Sequence, residues 1–92
     1  MLNEKQIAII HRALESFGSV NELVVTIEEL SELQKEITKF LRNQGSVENV
    51  IEELSDVYIV LEYLKIIFAI DDESVSKEID YKLNRLTQIL KD

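Results

Sequence analysis

The stretch IEELSDVYIVLEYLKII, residues 51–67, decides how this chain is read. Placed on a helix at about 100° per residue, its most polar stripe runs through Ser55, Glu62 and Lys65. Glu53 and Asp56 fall on the opposite side, on the face continued by Val60, Leu64 and Ile67. A bare charge buried there is costly unless it is paired or meets a cation. The remaining circumference carries Val57, Tyr58, Ile59, Leu61, Ile66 and Phe68. A helix apolar nearly all round belongs at the centre of a fold and needs more cover than a few neighbours in a small monomer supply. A homodimer that buries this helix is therefore expected.

The opening of that stretch has a near copy upstream, IEELSE at residues 27–32. On this second helix an apolar stripe runs through Leu23, Ile27, Leu30, Ile37 and Leu41, widened by Leu33 and Phe40. Glu29, Glu32 and Glu36 fall beside that flank, with Lys35 and Lys39 beyond them. Taken alone, these glutamates read equally well as solvated surface charges in i,i+3 and i,i+4 relations. Taken with Glu53 and Asp56, they admit a sharper reading. In an antiparallel helix pair, Glu29 and Glu32 converge on Glu53 and Asp56, and carboxylates held that close raise one another's pKa values unless a cation sits among them. An all-oxygen donor set suits hard ions, Mg²⁺ first and Mn²⁺ second. Bundle-core di-iron sites characteristically use Glu-x-x-His. Here the fourth residue of each motif is Glu or Asp, and the sole histidine, His11, lies elsewhere.

The chain has no proline and only two glycines, Gly18 and Gly45, while apolar residues recur at helical spacing almost throughout. The pattern predicts helices at about 3–17, 20–43, 47–69 and 73–90. Ser19 with Glu22 reads as a capping box, Ser46 as an N-cap, and Asp71 or Asp72 as the cap of the last helix. Short links then predict an all-α, antiparallel four-helix bundle forming a single domain over residues 1–92. Ninety-two residues is near the lower end of what buries a self-sufficient core, which again favours a second copy. The absence of cysteine and of a signal-like N-terminus makes the cytoplasm the expected compartment. The longest apolar run, Val57 to Ile70, is interrupted by Glu62 and Lys65 and is too short to span a bilayer. A net charge of −8, with scattered basic residues, argues against a nucleic-acid polymer as partner.

Glu28-Glu29-Leu30-Ser31-Glu32, followed after 20 residues by Glu53-Leu54-Ser55-Asp56, resembles the signature of the MazG-like all-α nucleoside triphosphate pyrophosphatases. The resemblance runs over roughly residues 22–88. It implies Mg²⁺-dependent hydrolysis of a nucleoside triphosphate to a monophosphate and pyrophosphate, with a role in clearing unwanted nucleotides from the pool. By position it makes Glu29, Glu32, Glu53 and Asp56 metal ligands, and gives Glu28 a part in holding a ligand or water or in acting as the base. Which carboxylate is the base stays open. Basic residues and an Asn late in the chain are implied phosphate contacts, which points to Lys82 and Arg85, then Lys77 and Asn84, although each reads as readily as a surface charge. Relatives often stack the base on an aromatic residue, commonly Trp. This chain has none, leaving His11, Phe17 and Phe40 as candidates. The family also implies dimers or pairs of dimers.

Two rival readings remain. Phosphoribosyl-ATP pyrophosphatases have similar acidic motifs but typically carry a Tyr-His pair soon after the second motif, where this chain has Tyr58-Ile59. A non-enzymatic helical module could instead present its acids to a basic partner.

Overall fold

The computed structural model describes residues 2–91 and consists of α1 (Glu4–Phe17), α2 (Ser19–Leu41), α3 (Val47–Ile67) and α4 (Asp72–Lys91), joined by short links. None of these helices is long and apolar enough to cross a membrane.

Local chemistry sets each boundary. Asn3 caps α1 by accepting from the Gln6 amide at 2.8 Å, while the Gln6 side chain returns the bond to the Asn3 amide at 2.9 Å. Gly18, at φ 84°, forms the whole corner between α1 and α2, in a conformation that disfavours a side chain. The expected box of Ser19 and Glu22 does not form. Ser19 already lies inside α2, whose N-cap is Gly18 with no side-chain cap, and Glu22 turns inward to become buried. Asn43, at φ 61°, ends α2. Gly45 serves a different need, because a Cβ there would lie 2.9 Å from the Phe40 backbone nitrogen. Ser46 caps α3, accepting from the Asn49 amide at 3.2 Å, and Asp71 caps α4, accepting from Ser74 at 2.7 Å.

The packing departs from a complete bundle. α2 and α3 form a long antiparallel hairpin, and α1 leans on both. The small core at that junction joins Ile10, Val60 and Tyr63, with Leu14, Val25 and Ile67 packed against it. Among the described residues, α4 packs against no other helix and every residue of it is exposed. Its tie to the rest is the pairing of Lys65 with Asp72 at the α3–α4 corner, which also holds Glu62. Three helices therefore pack together and the fourth stands apart.

A second departure concerns the rotation of α2. Glu22, Thr26, Glu29, Leu33 and Glu36 recur at alternating four- and three-residue steps and form its face toward α3. The apolar stripe read from the sequence points the other way, with Ile27 68% and Leu41 78% exposed and Leu30 and Ile37 about half exposed. On α3 the expected inner face is turned inward, with Val60 buried and Glu53, Asp56, Leu64 and Ile67 half-buried, and Val57 and Tyr63 are buried beside it.

Candidate functional site

The acids of the two repeated motifs meet in the α2–α3 seam. Carboxylate oxygens of Glu29, Glu53 and Asp56 lie within 4.8 Å of one another, and all three side chains are half-buried. Antiparallel pairing brings this about, because motifs on helices of opposite direction meet when they lie at similar distances from the connecting turn. Further from that turn, Glu22 faces Tyr63 across the same seam. Burial, followed by the Glu22 charge and hydrogen bond, raises the Tyr63 pKa.

The cluster is electrostatically tense. Burial raises the Glu29 pKa above its ordinary 4.5, reinforced by a hydrogen bond shared with Asp56 and by the charges of Asp56, Glu53 and Glu32. Burial also raises that of Glu53, with the charges of Asp56, Glu32, Glu52 and Glu36 adding to it. Both shifts favour taking up a proton or a cation. Oxygens around a Mg²⁺ at about 2.1 Å are roughly 3 to 4 Å apart. Small side-chain rotations would therefore bring these three carboxylates onto one ion. The donor set, oxygen throughout and anionic, fits a hard divalent cation.

The other candidates are placed less centrally. Glu32 sits exposed at the rim, where its charge reaches both Glu29 and Glu53. Glu28 is exposed and about 100° around α2 from Glu29, facing away from the seam. His11 is exposed on α1. Lys77, Lys82, Asn84 and Arg85 all lie on the detached α4, where Lys77 pairs with Glu73 at 3.3 Å and the Arg85 guanidinium lies 5.8 Å from the Tyr81 ring centre. Within one chain the structure does not bring them to the acids. Phe17 and Phe40 are likewise more than half exposed.

Two buried acids were not singled out from the sequence as part of this seam. Glu22 is 4% exposed and is held by the Asn21 amide at 3.0 Å. Glu36 is 8% exposed, and its Oε2 accepts no hydrogen bond, the Lys39 ammonium being 3.7 Å away. The signal for both was present: Glu22, Glu29 and Glu36 repeat every seven residues, which keeps them on one side of a helix. No protein-family model matches the chain, and no curated protein or solved structure matches it significantly.

Proposed function

We propose that this chain is a divalent-cation-dependent nucleoside triphosphate pyrophosphohydrolase. Water oxygen bonds to the α-phosphorus, the bond from that phosphorus to the α–β bridging oxygen breaks, and the products are a nucleoside monophosphate and pyrophosphate. The observation that carries the reading is the convergence of Glu29, Glu53 and Asp56 in the seam, with Glu32 at its rim. The resemblance of the two acidic motifs to the MazG-like signature supports it.

In this reading Glu29, Glu53 and Asp56 would hold Mg²⁺ or Mn²⁺, with Glu32 as a further oxygen donor from the rim. The cation would offset charge developing on the pyrophosphate leaving group and lower the pKa of a bound water. The chain's own part is positioning. Residues of two helices packed along one seam keep the carboxylates fixed, and the raised pKa values of Glu29 and Glu53 ready those two to accept a proton at a carboxylate oxygen when no cation is bound. Lys35 and Lys39 lie on the helix that carries Glu29 and Glu32 and could meet phosphate oxygens.

The test is product analysis with a panel of canonical and modified ribo- and deoxyribonucleoside triphosphates and phosphoribosyl-ATP, with and without Mg²⁺, in an assay that separates pyrophosphate from phosphate. Monophosphate plus pyrophosphate is expected, dependent on Mg²⁺ and abolished in Glu53→Gln and Asp56→Asn. Turnover of phosphoribosyl-ATP alone would move the assignment to the histidine-synthesis reaction. No turnover, together with no divalent-ion binding by calorimetry, would overturn it and leave a non-enzymatic acidic module.

A further inference from the structure

Glu36 is a seam acid that the proposed reaction leaves unused. It lies outside both repeated motifs, on the face of α2 that meets α3, one turn nearer the α2–α3 corner than Glu32. Only 8% of the residue is exposed, and its Oε2 is shut off from solvent and accepts no hydrogen bond. The Lys39 ammonium stands 3.7 Å away, at the end of a side chain that is itself 42% exposed. Burying a carboxylate oxygen with no hydrogen bond is costly. An aliphatic would fill the position without that cost, as Leu33 does on the same face.

The surroundings of Glu36 carry one sign of charge. Glu32 and Glu36 are four residues apart and so are neighbours on α2. Across the seam, the charges that raise the Glu53 pKa, after burial, are those of Asp56, Glu32, Glu52 and Glu36. The charges acting on Glu29 are those of Asp56, Glu53 and Glu32, and Glu36 is not among them. Antiparallel pairing orders the acids in the same way: Glu36 and Glu53 lie nearer the corner on their helices, Glu29 and Asp56 farther from it. Glu53 therefore stands between two groups of acids, Glu29 with Asp56 on one side and Glu36 on the other.

From this placement we infer that the seam binds a second divalent cation, held by Glu36 of α2 and the free oxygen of Glu53 of α3, with Glu32 between the two ions. The inference rests on the proposed first ion, with which this site shares Glu53. A carboxylate has two oxygens and can offer one to each ion. Paired metal centres hold their ions about 3.5–4 Å apart, a spacing that a bridging carboxylate allows. The donors are again oxygen and anionic, which suits Mg²⁺ or Mn²⁺, and the positions they leave open take water or phosphate oxygens. The second ion gives the buried Oε2 of Glu36 the partner that the chain does not supply.

The test uses Mn²⁺ alone, without substrate, on the whole chain, with bound ions counted by electron paramagnetic resonance. Two ions per chain are expected in the parent, close enough to couple magnetically. Glu36→Gln should bind one, with the coupled signal gone and the dissociation constant of the remaining ion close to the parent's. Glu36→Leu, which fills the position without an oxygen, should also bind one ion, and should melt above the parent when no divalent ion is present. It keeps the test standing if the glutamine variant folds poorly, helicity being followed by circular dichroism. One ion in the parent, or two in both Glu36 variants, would overturn this inference and leave the first site and the proposed reaction untouched. No Mn²⁺ bound by the parent would overturn both. Two ions that depend on Glu36, in a chain that turns over no triphosphate, would uphold this inference and overturn the proposed reaction.

Discussion

Replacing Asp56 by Asn removes one charge from the acid cluster with almost no change of shape, and it separates two roles the cluster could have. With oxygens at most 4.8 Å apart, the repulsion between ionised Glu29 and Asp56 is about 1 kcal/mol in a water-like medium and about 3 kcal/mol at the effective dielectric of a protein surface. The side chains are only half-buried, so the lower figure applies. Without divalent ions Asp56→Asn should therefore be more stable than the parent by about 1 kcal/mol, or about 4–8 °C in a chain of this size. With Mg²⁺ the order reverses. A site with a dissociation constant of about 1 mM gives about 1.4 kcal/mol at 10 mM ion, and only the parent gains it. The assay is thermal unfolding by circular dichroism at one fixed chain concentration, with and without 10 mM Mg²⁺. If Asp56→Asn were destabilised without the ion, or kept the parent's Mg²⁺ shift, the cluster would be a structural hydrogen-bond network rather than a cation site.

The other predictions concern pH and backbone geometry. Glu29 and Glu53 have folded pKa values above their ordinary 4.5, so their contribution to stability is present below that value and is lost as pH rises through the raised ones. The ion-free protein should accordingly melt at progressively lower temperature as pH rises from about 4.5 toward 7, and a titration of melting temperature in Glu29→Gln/Glu53→Gln should be flatter. Asp71 is shifted the opposite way, below its ordinary 3.8, by its hydrogen bonds from Ser74, so its loss on protonation lies outside that window. Gly45→Ala would push a methyl to 2.9 Å from the Phe40 nitrogen and 3.2 Å from its Cα, a backbone contact that cannot rotate away. Urea unfolding should show a loss of about 1–3 kcal/mol, and an unchanged midpoint would contradict the tight α2–α3 corner.

Much of the local structure is legible from single residues. Ser46 and Asp71 cap their helices because a short side-chain oxygen needs only its own next turn to find a free amide. Ser19 and Glu22 satisfy the same pattern and yet form no cap. At the α1–α2 corner Gly18 takes the N-cap position, and the Glu22 side chain is drawn instead toward Asn21 and Tyr63. The Glu53 and Asp56 pair was legible for a different reason: α3 has one face where carboxylates stand out against aliphatics, and that face is the one packed against α2.

By itself, then, the sequence determined that the chain is all-helical, where its helices break, and that Glu53 and Asp56 belong to the inner face of α3. Periodicity and capping are properties of neighbouring residues, and no distant contact is needed to express them. The tertiary structure alone decided that α2 turns Glu22, Glu29 and Glu36 inward and its aliphatics out, and that α4 stands free of the hairpin. A helical wheel gives the angles between residues on one helix but not the rotation of that helix against its neighbour. With two competing faces, one of acids at seven-residue spacing and one of aliphatics, that rotation is chosen by what lies across the seam and by what remains to be covered outside it.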